Sequence, residues 1–311
     1  MASTFTKSGK VILAGGSGFL GQSLLPTLCQ RFEQVVVLTR GPSKVDGQVR
    51  YVTWDGKTVG PWAAEIEGAD AVVNYVGRTV DCRKTPANKR VILESRIDSV
   101  RALATALKQV GTTPRVWVQS ATAHIYGDTG DEVLDESAPI GTGFAPEVGT
   151  AWEAALARAA TELQGCRFVT LRISFVLGRN AGALKTLSRL ARLFLGGTVG
   201  TGRQYISWIH VADLIAIVMR AIDEPAMHGM YVTTAPEPQP NREFMRSLRR
   251  AVGRPWSPPA PASMVRVGSW FMRTDPELAL LGRRCVPARL MREGFVFAYP
   301  ELDKALDDLL A

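Results

Sequence analysis

Val11-Ile12-Leu13-Ala14-Gly15-Gly16-Ser17-Gly18-Phe19-Leu20-Gly21 is an apolar run that breaks into glycines at a spacing of three, Gly15, Gly18 and Gly21. Leu24, Leu25 and Leu28 follow on one helical face, so the stretch reads as strand, tight turn and helix. Each glycine has a job in that reading. Gly15 lets the chain turn sharply, Gly18 leaves the backbone amides open to a phosphate, and Gly21 lets the helix press on the strand. The helix start then offers free N–H groups and a positive dipole end to a pyrophosphate. The motif is weak alone, and its context carries it: it ends the first apolar strand, and a suitable second strand follows.

That second strand is Val35-Val36-Val37-Leu38-Thr39-Arg40. A dinucleotide site that prefers NAD places an acid at its end, about twenty residues after the glycines, to hold the ribose 2′-hydroxyl. Here Arg40 stands in that place, with Lys44 nearby. A guanidinium suits a 2′-phosphate through paired hydrogen bonds, so the pattern favours NADP over NAD. The alternative is a solvated strand-end charge.

The bulk composition sets the frame. The chain has 311 residues, 46% hydrophobic and 21% charged, which is ordinary for a globular protein with a full core. No apolar run approaches the ~18 residues of a membrane span. Met1 to Lys10 is short and polar, without an apolar signal segment, so a cytoplasmic location is expected. The four cysteines show no CxxC spacing and read as reduced thiols. With three histidines and no His/Cys cluster, no metal site is expected. The net charge of +8 raises nucleic acid as a partner, but the basic residues are dispersed, and Arg246, Arg249 and Arg250 read as a solvated helix face.

Further strands are expected at Val49 to Trp54, Ala69 to Gly77, Arg115 to Ser120, Arg167 to Leu177 and Met230 to Thr234. Helices are expected at Pro86 to Val110, Thr150 to Leu163, Ala183 to Leu195, up to Asp223, at Glu243 to Val252 and at Glu301 to Leu310. Strands alternating with helices imply an α/β fold, a Rossmann-type doubly wound parallel sheet, with a small, mainly helical C-terminal cap. The expected division is 8–178 plus 205–234 for the dinucleotide-binding part and 179–204 plus 235–311 for the cap, with substrate between them.

Several residues then become candidates. Asp55 meets the adenine end of a cofactor or caps a turn. Tyr75, Val76 and Gly77 present backbone beside the cofactor. Arg96, on the long helix, points to the cofactor phosphates or to solvent. Ser120, Thr122 and Tyr126, at the end of a central strand, lie on the nicotinamide side. Glu153 is a stand-in acid/base or a helix-start carboxylate; Tyr126 is a stand-in acid/base or core. Residues 128–150 read as a polar, lid-like loop. Asp213 reads as a helix N-cap and His210 as a structural hydrogen-bonder.

Taken together, the chain resembles an extended short-chain dehydrogenase/reductase of the NAD-dependent epimerase/dehydratase superfamily. Within it, the chain is similar to the YfcH-like epimerase proteins with a C-terminal domain of unknown function. The resemblance rests on Gly15 to Gly21, Thr39-Arg40, Asn74 to Gly77, Ser95-Arg96, Tyr126-Gly127-Asp128, Trp152-Glu153, Arg172, Val176-Leu177-Gly178, Gly200 to Asp213, Thr234-Ala235-Pro236, Asn241 and Tyr299-Pro300. It implies NADP(H) bound at Gly15, Gly16, Ser17, Gly18, Phe19, Leu20, Gly21, Thr39 and Arg40, and near Tyr75, Val76, Arg96 and Val176. It also implies a monomer or homodimer, pairing through helices near 86–110 and 150–163.

Two departures stand out. The superfamily's Tyr-x-x-x-Lys acid/base pair is missing: no Tyr or Lys occurs between Gly127 and Arg179, and the expected positions hold Val148 and Trp152. Arginine is also absent just before Trp208-Ile209-His210, where sugar-nucleotide epimerases grip a diphosphate. Thr122 does stand where the superfamily places its hydroxyl. Two functions remain: an NADP-dependent, epimerase-like oxidoreductase with a non-standard site and an unknown small-molecule substrate, or a catalytically silent NADP-binding regulatory or redox-sensing module.

Overall fold

The computed structural model describes residues 7–311; Met1 to Thr6 of the polar N-terminal segment lie outside the described residues. In chain order the elements begin with β1 (Lys10–Ala14), α1 (Phe19–Arg31), β2 (Gln34–Thr39), β3 (Lys44–Asp46), β4 (Val49–Thr53), β5 (Ala71–Asn74) and α2 (Pro86–Gln109). Then come β6 (Val116–Thr122), β7 (Val133–Leu134), α3 (Phe144–Glu162), β8 (Arg167–Ile173), β9 (Phe175–Leu177), α4 (Gly182–Arg192), β10 (Tyr205–Ile206), β11 (Trp208–His210), α5 (Val211–Asp223) and β12 (Gly229–Thr233). The C-terminal part adds β13 (Gln239–Pro240), α6 (Asn241–Ala251), α7 (Ala262–Met272), α8 (Glu277–Leu280), β14 (Arg284–Cys285), α9 (Ala288–Arg292) and α10 (Leu302–Leu310).

The main sheet runs β12-β8-β6-β5-β1-β2-β4-β3. All its pairings are parallel except the β3–β4 hairpin. Helices cover both faces, as the apolar runs require. Val11 and Leu13 point to the face carrying α1 and α5, where Leu24, Leu28, Ile217 and Ile222 are buried. Ile12 and Ala14 point to the other face, against Val100, Leu103, Trp152 and Leu156 of α2 and α3. A third core joins Leu184, Trp208, Phe244, Leu248, Leu302 and Leu306 in the C-terminal region. No helix among the described residues is long and apolar enough to cross a membrane. The strand order reverses between β1 and β5, and the crevice outside their carboxyl ends is the natural ligand site of such sheets.

Three local expectations are corrected. The single strand 167–177 breaks at Ser174: Ile173 ends β8 in the main sheet, and β9 pairs instead with β11. The helix expected from Thr150 starts at Phe144, because Gly143, with φ of 105°, turns the chain and Pro146 is tolerated in a first turn. The lid-like loop is shorter by the same stretch. Asp213 is not the cap of α5. His210 is, its ring accepting from the Ala212 N–H, while buried Asp213 accepts from the N–H groups of Ala298 and Tyr299 and fastens the C-terminal segment.

Candidate functional site

The glycine turn is as tight as its sequence suggests. Gly15 has φ of +76°, and a side chain there would meet the Tyr75 carbonyl carbon at 2.9 Å. A Cβ on Gly21 would come within 2.4 Å of the Gly16 Cα, so α1 lies directly on the turn. Gly18 differs: a Cβ there meets nothing closer than the Gly15 oxygen at 3.5 Å, leaving room for a ligand. It is the N-cap of α1, no side chain caps the helix, and the first turn carries no acid. The amides of Phe19, Leu20 and Gly21 therefore open onto that room with a positive dipole end behind them. Ser17 is exposed at the same rim. The Phe19 ring packs under Gly178, which sets half-buried Val176 above the start of α1.

At the end of β2, buried Thr39 accepts from the Gly41 N–H. Arg40 is exposed and forms no ion pair among the described residues. Asp55 serves its own turn: its carboxylate accepts from the N–H groups of Lys57 and Thr58 and from the Thr58 hydroxyl. All three of these bonds lie within its own turn.

Across the crevice, the Tyr75 N–H donates to the Ala14 oxygen, and the Asn74 side chain accepts from the Val76 N–H. Arg96 lies beside Gly77, where a Cβ would meet its guanidinium carbon at 3.1 Å. It donates to the carbonyls of Ile92 and Arg78 and stacks on Trp152 at 5.0 Å. Burial lowers its pKa to about 10, which leaves it charged at neutral pH, with no carboxylate partner among the described residues. The Trp152 ring thus carries a cation on its face.

The hydroxyls at the end of β6 separate into two groups. The Ser120 hydroxyl is buried and donates to the Asn74 carbonyl. Tyr126 is fully buried, donates to the Asp135 carbonyl and accepts from Arg172, and burial pushes its pKa up to about 12. Arg172, from β8, also holds both oxygens of Glu153 at 2.8 Å. Glu153 is thus mid-helix and ion-paired, not at a helix start. These three candidates are bound into the framework. Thr122 remains: half-buried, it accepts from the His124 N–H, and its own proton has no acceptor among the described residues.

Sequence reading gave no role to His124 or Arg283. His124 lies on the turn after Thr122, half-buried, and no hydrogen bond engages its ring among the described residues. Burial, with the positive charges of Arg283 and Lys84 nearby, holds its pKa well below 6.5. Arg283 donates through Nε to the Gly127 carbonyl. The spacing of His124 from Thr122 was the available signal; Arg283, 156 residues from the carbonyl it bonds, offered none.

The chain as a whole matches known proteins. The model of the NAD dependent epimerase/dehydratase family matches residues 11–232. The chain belongs to that family. A domain of unknown function, DUF1731, matches residues 260–309. The chain is 32% identical over 307 residues to the epimerase family protein SDR39U1 of Bos taurus, covering 97% of this chain and 100% of that protein. It is 30% identical over 308 residues to the epimerase family protein YfhF of Bacillus subtilis, covering 97% and 98%. A crystal structure of human SDR39U1 (isoform 2) with NADPH superposes with a TM-score of 0.86 at 30% identity, covering 97% of this chain and 99% of that one. The family, its C-terminal domain and the Rossmann-type fold expected from the sequence are thus established.

Proposed function

We propose that this protein binds NADP(H) in the crevice between β1 and β5 and acts as an epimerase-like oxidoreductase on a small molecule. The observation that carries the cofactor reading is the open cradle at Gly18, together with two cations that have no carboxylate partner among the described residues, Arg40 and Arg96. The human relative's complex with NADPH supports the choice of phosphate form. In this reading the amides of Phe19, Leu20 and Gly21 hold the pyrophosphate and Arg40 with Thr39 holds the 2′-phosphate. Arg96 lies over Gly77 and neutralises a further phosphate. A bound nicotinamide supplies or accepts hydride. Thr122 donates its free hydroxyl proton to a substrate oxygen, and the 235–311 segment closes over the strand ends to exclude water.

The engagement of Tyr126, Glu153 and Ser120 favours a second reading, a silent NADP-binding module, if Thr122 has no proton partner. The two separate experimentally. Under both, NADPH raises the unfolding midpoint more than NADH does, adding about 2.7 kcal/mol at 100 times its dissociation constant. Only the first predicts NADPH oxidation with a panel of carbonyl compounds. A midpoint unmoved by NADPH refutes both.

A further inference from the structure

His124 and Arg283 are unusual in what they lack. Arg283 is half-buried, and only its Nε has a hydrogen-bond partner, the Gly127 carbonyl; its terminal nitrogens reach the surface with no bonded partner, and no carboxylate pairs with it, among the described residues. A half-buried guanidinium whose fork of terminal N–H groups is free and reachable is suited to grip a carboxylate or phosphate in two hydrogen bonds. Lys84 adds positive charge near the His124 ring, although it pairs with Asp275 at 3.2 Å. Asp128 is nearby but accepts from the Gly282 N–H. Near both cations lies the ring of His124, two residues after Thr122 in the turn that follows β6.

We propose that this cluster at the end of β6 receives a substrate bearing a carboxylate or phosphate, that Arg283 holds the anion with its terminal nitrogens, and that His124 exchanges a proton with the oxygen on the reacting carbon. The proposal rests on the NADP(H) reading above. In the oxidising direction the neutral ring takes the hydroxyl proton, the O–H pair becomes the C=O bond, and hydride leaves the carbon for the oxidised cofactor; reduction is the reverse. The same arrangement explains how the missing Tyr-x-x-x-Lys pair is replaced: Thr122 and His124, two residues apart in one turn, share one substrate oxygen. It also gives substrate binding a consequence. An anion on Arg283 cancels part of the field that Arg283 and Lys84 exert on the ring, with Asp128 and Asp275 unchanged, so His124 gains basicity when the site fills.

The test uses the full chain saturated with NADP+, so that the cofactor's own phosphate sites are filled, and follows the His124 ring C–H by two-dimensional NMR. With three histidines in the chain, His124→Asn assigns the signal. Malonate and inorganic phosphate are titrated separately, distinguishing a carboxylate from a phosphate substrate. The expected result is a saturable rise of the His124 titration midpoint, by about one unit, with at least one of the two anions. The rise is lost in Arg283→Gln and partly kept in Arg283→Lys, which retains the charge and checks the fold. A midpoint that neither anion moves, or that moves equally in Arg283→Gln, overturns the proposal. Cofactor binding is measured beforehand by calorimetry. If NADP+ does not bind, the cofactor reading fails, and the anion titration on the free protein still decides whether Arg283 and His124 form one site.

Discussion

Replacing Arg172 by Leu tests whether Tyr126 and Glu153 are framework or machinery. Arg172 is 6% exposed, and its guanidinium makes three bonds of 2.8 Å, two to Glu153 and one to the Tyr126 hydroxyl. Its loss leaves a carboxylate with 23% side-chain exposure facing an apolar patch. Breaking a buried pair costs about 3–5 kcal/mol, and the partial exposure of Glu153 points to the lower end, about 3 kcal/mol. At about 2 °C per kcal/mol for a chain of this length, the unfolding midpoint falls by about 6 °C. The double variant, Arg172→Leu with Glu153→Leu, removes the orphaned charge as well and recovers more than half of the loss. Calorimetry of the two variants, each with and without NADPH, is the assay. A single variant within about 1 kcal/mol of the wild type, or a double variant no better than the single, refutes the reasoning. NADPH affinity that collapses in the double variant would show instead that Glu153 belongs to the site.

Two further predictions come from neighbouring residues. Gly18→Ala leaves the unfolding midpoint within about 1 °C, since its backbone angles suit any residue and 3.5 Å separates the new methyl from the nearest atom, but weakens NADPH binding at least tenfold; Gly21→Ala, at 2.4 Å from the Gly16 backbone, instead destabilises by about 1–3 kcal/mol. Chemical denaturation and a fluorescence titration read both, and equal effects at the two glycines would contradict the division. Acidification destabilises the fold through His124 and His210, whose folded pKa values lie below 6.5: above that value both states are neutral, and as pH falls through the window only the unfolded chain takes up protons. The stability difference between wild type and His124→Asn, measured from pH 7.5 to about pH 5, should shrink as pH falls; a difference that grows reverses the sign of the account.

The sequence carried the frame because the frame is local. Gly15 to Gly21, the Val-rich runs and the Pro86–Gln109 helix announce themselves through spacing and periodicity within a dozen or two residues. Arg40 is legible for the same reason, as it stands at a fixed place after the glycines. What escaped depends on pairings distant in the chain. Glu153 reads as a helix-start carboxylate until the helix is seen to begin at Phe144 and Arg172 to close on it from β8. Asp213 reads as a cap until residues 298 and 299 arrive to claim its oxygens. Ser120 and Tyr126 carry the right chemistry at the right strand end, but Asn74 and Asp135 take up their protons. Arg283 gains meaning only when the C-terminal segment folds back beside Gly127.

The central claim is that Arg40 selects the phosphorylated dinucleotide. Isothermal titration of NADPH and NADH into the wild type and Arg40→Ala measures it directly. A charge-assisted pair of hydrogen bonds is worth about 1.5–3 kcal/mol, so NADPH should bind about ten- to a hundredfold more tightly than NADH, and Arg40→Ala should remove most of that preference while leaving NADH affinity unchanged. Equal affinity for the two dinucleotides in the wild type, or a preference that survives in Arg40→Ala, would contradict it.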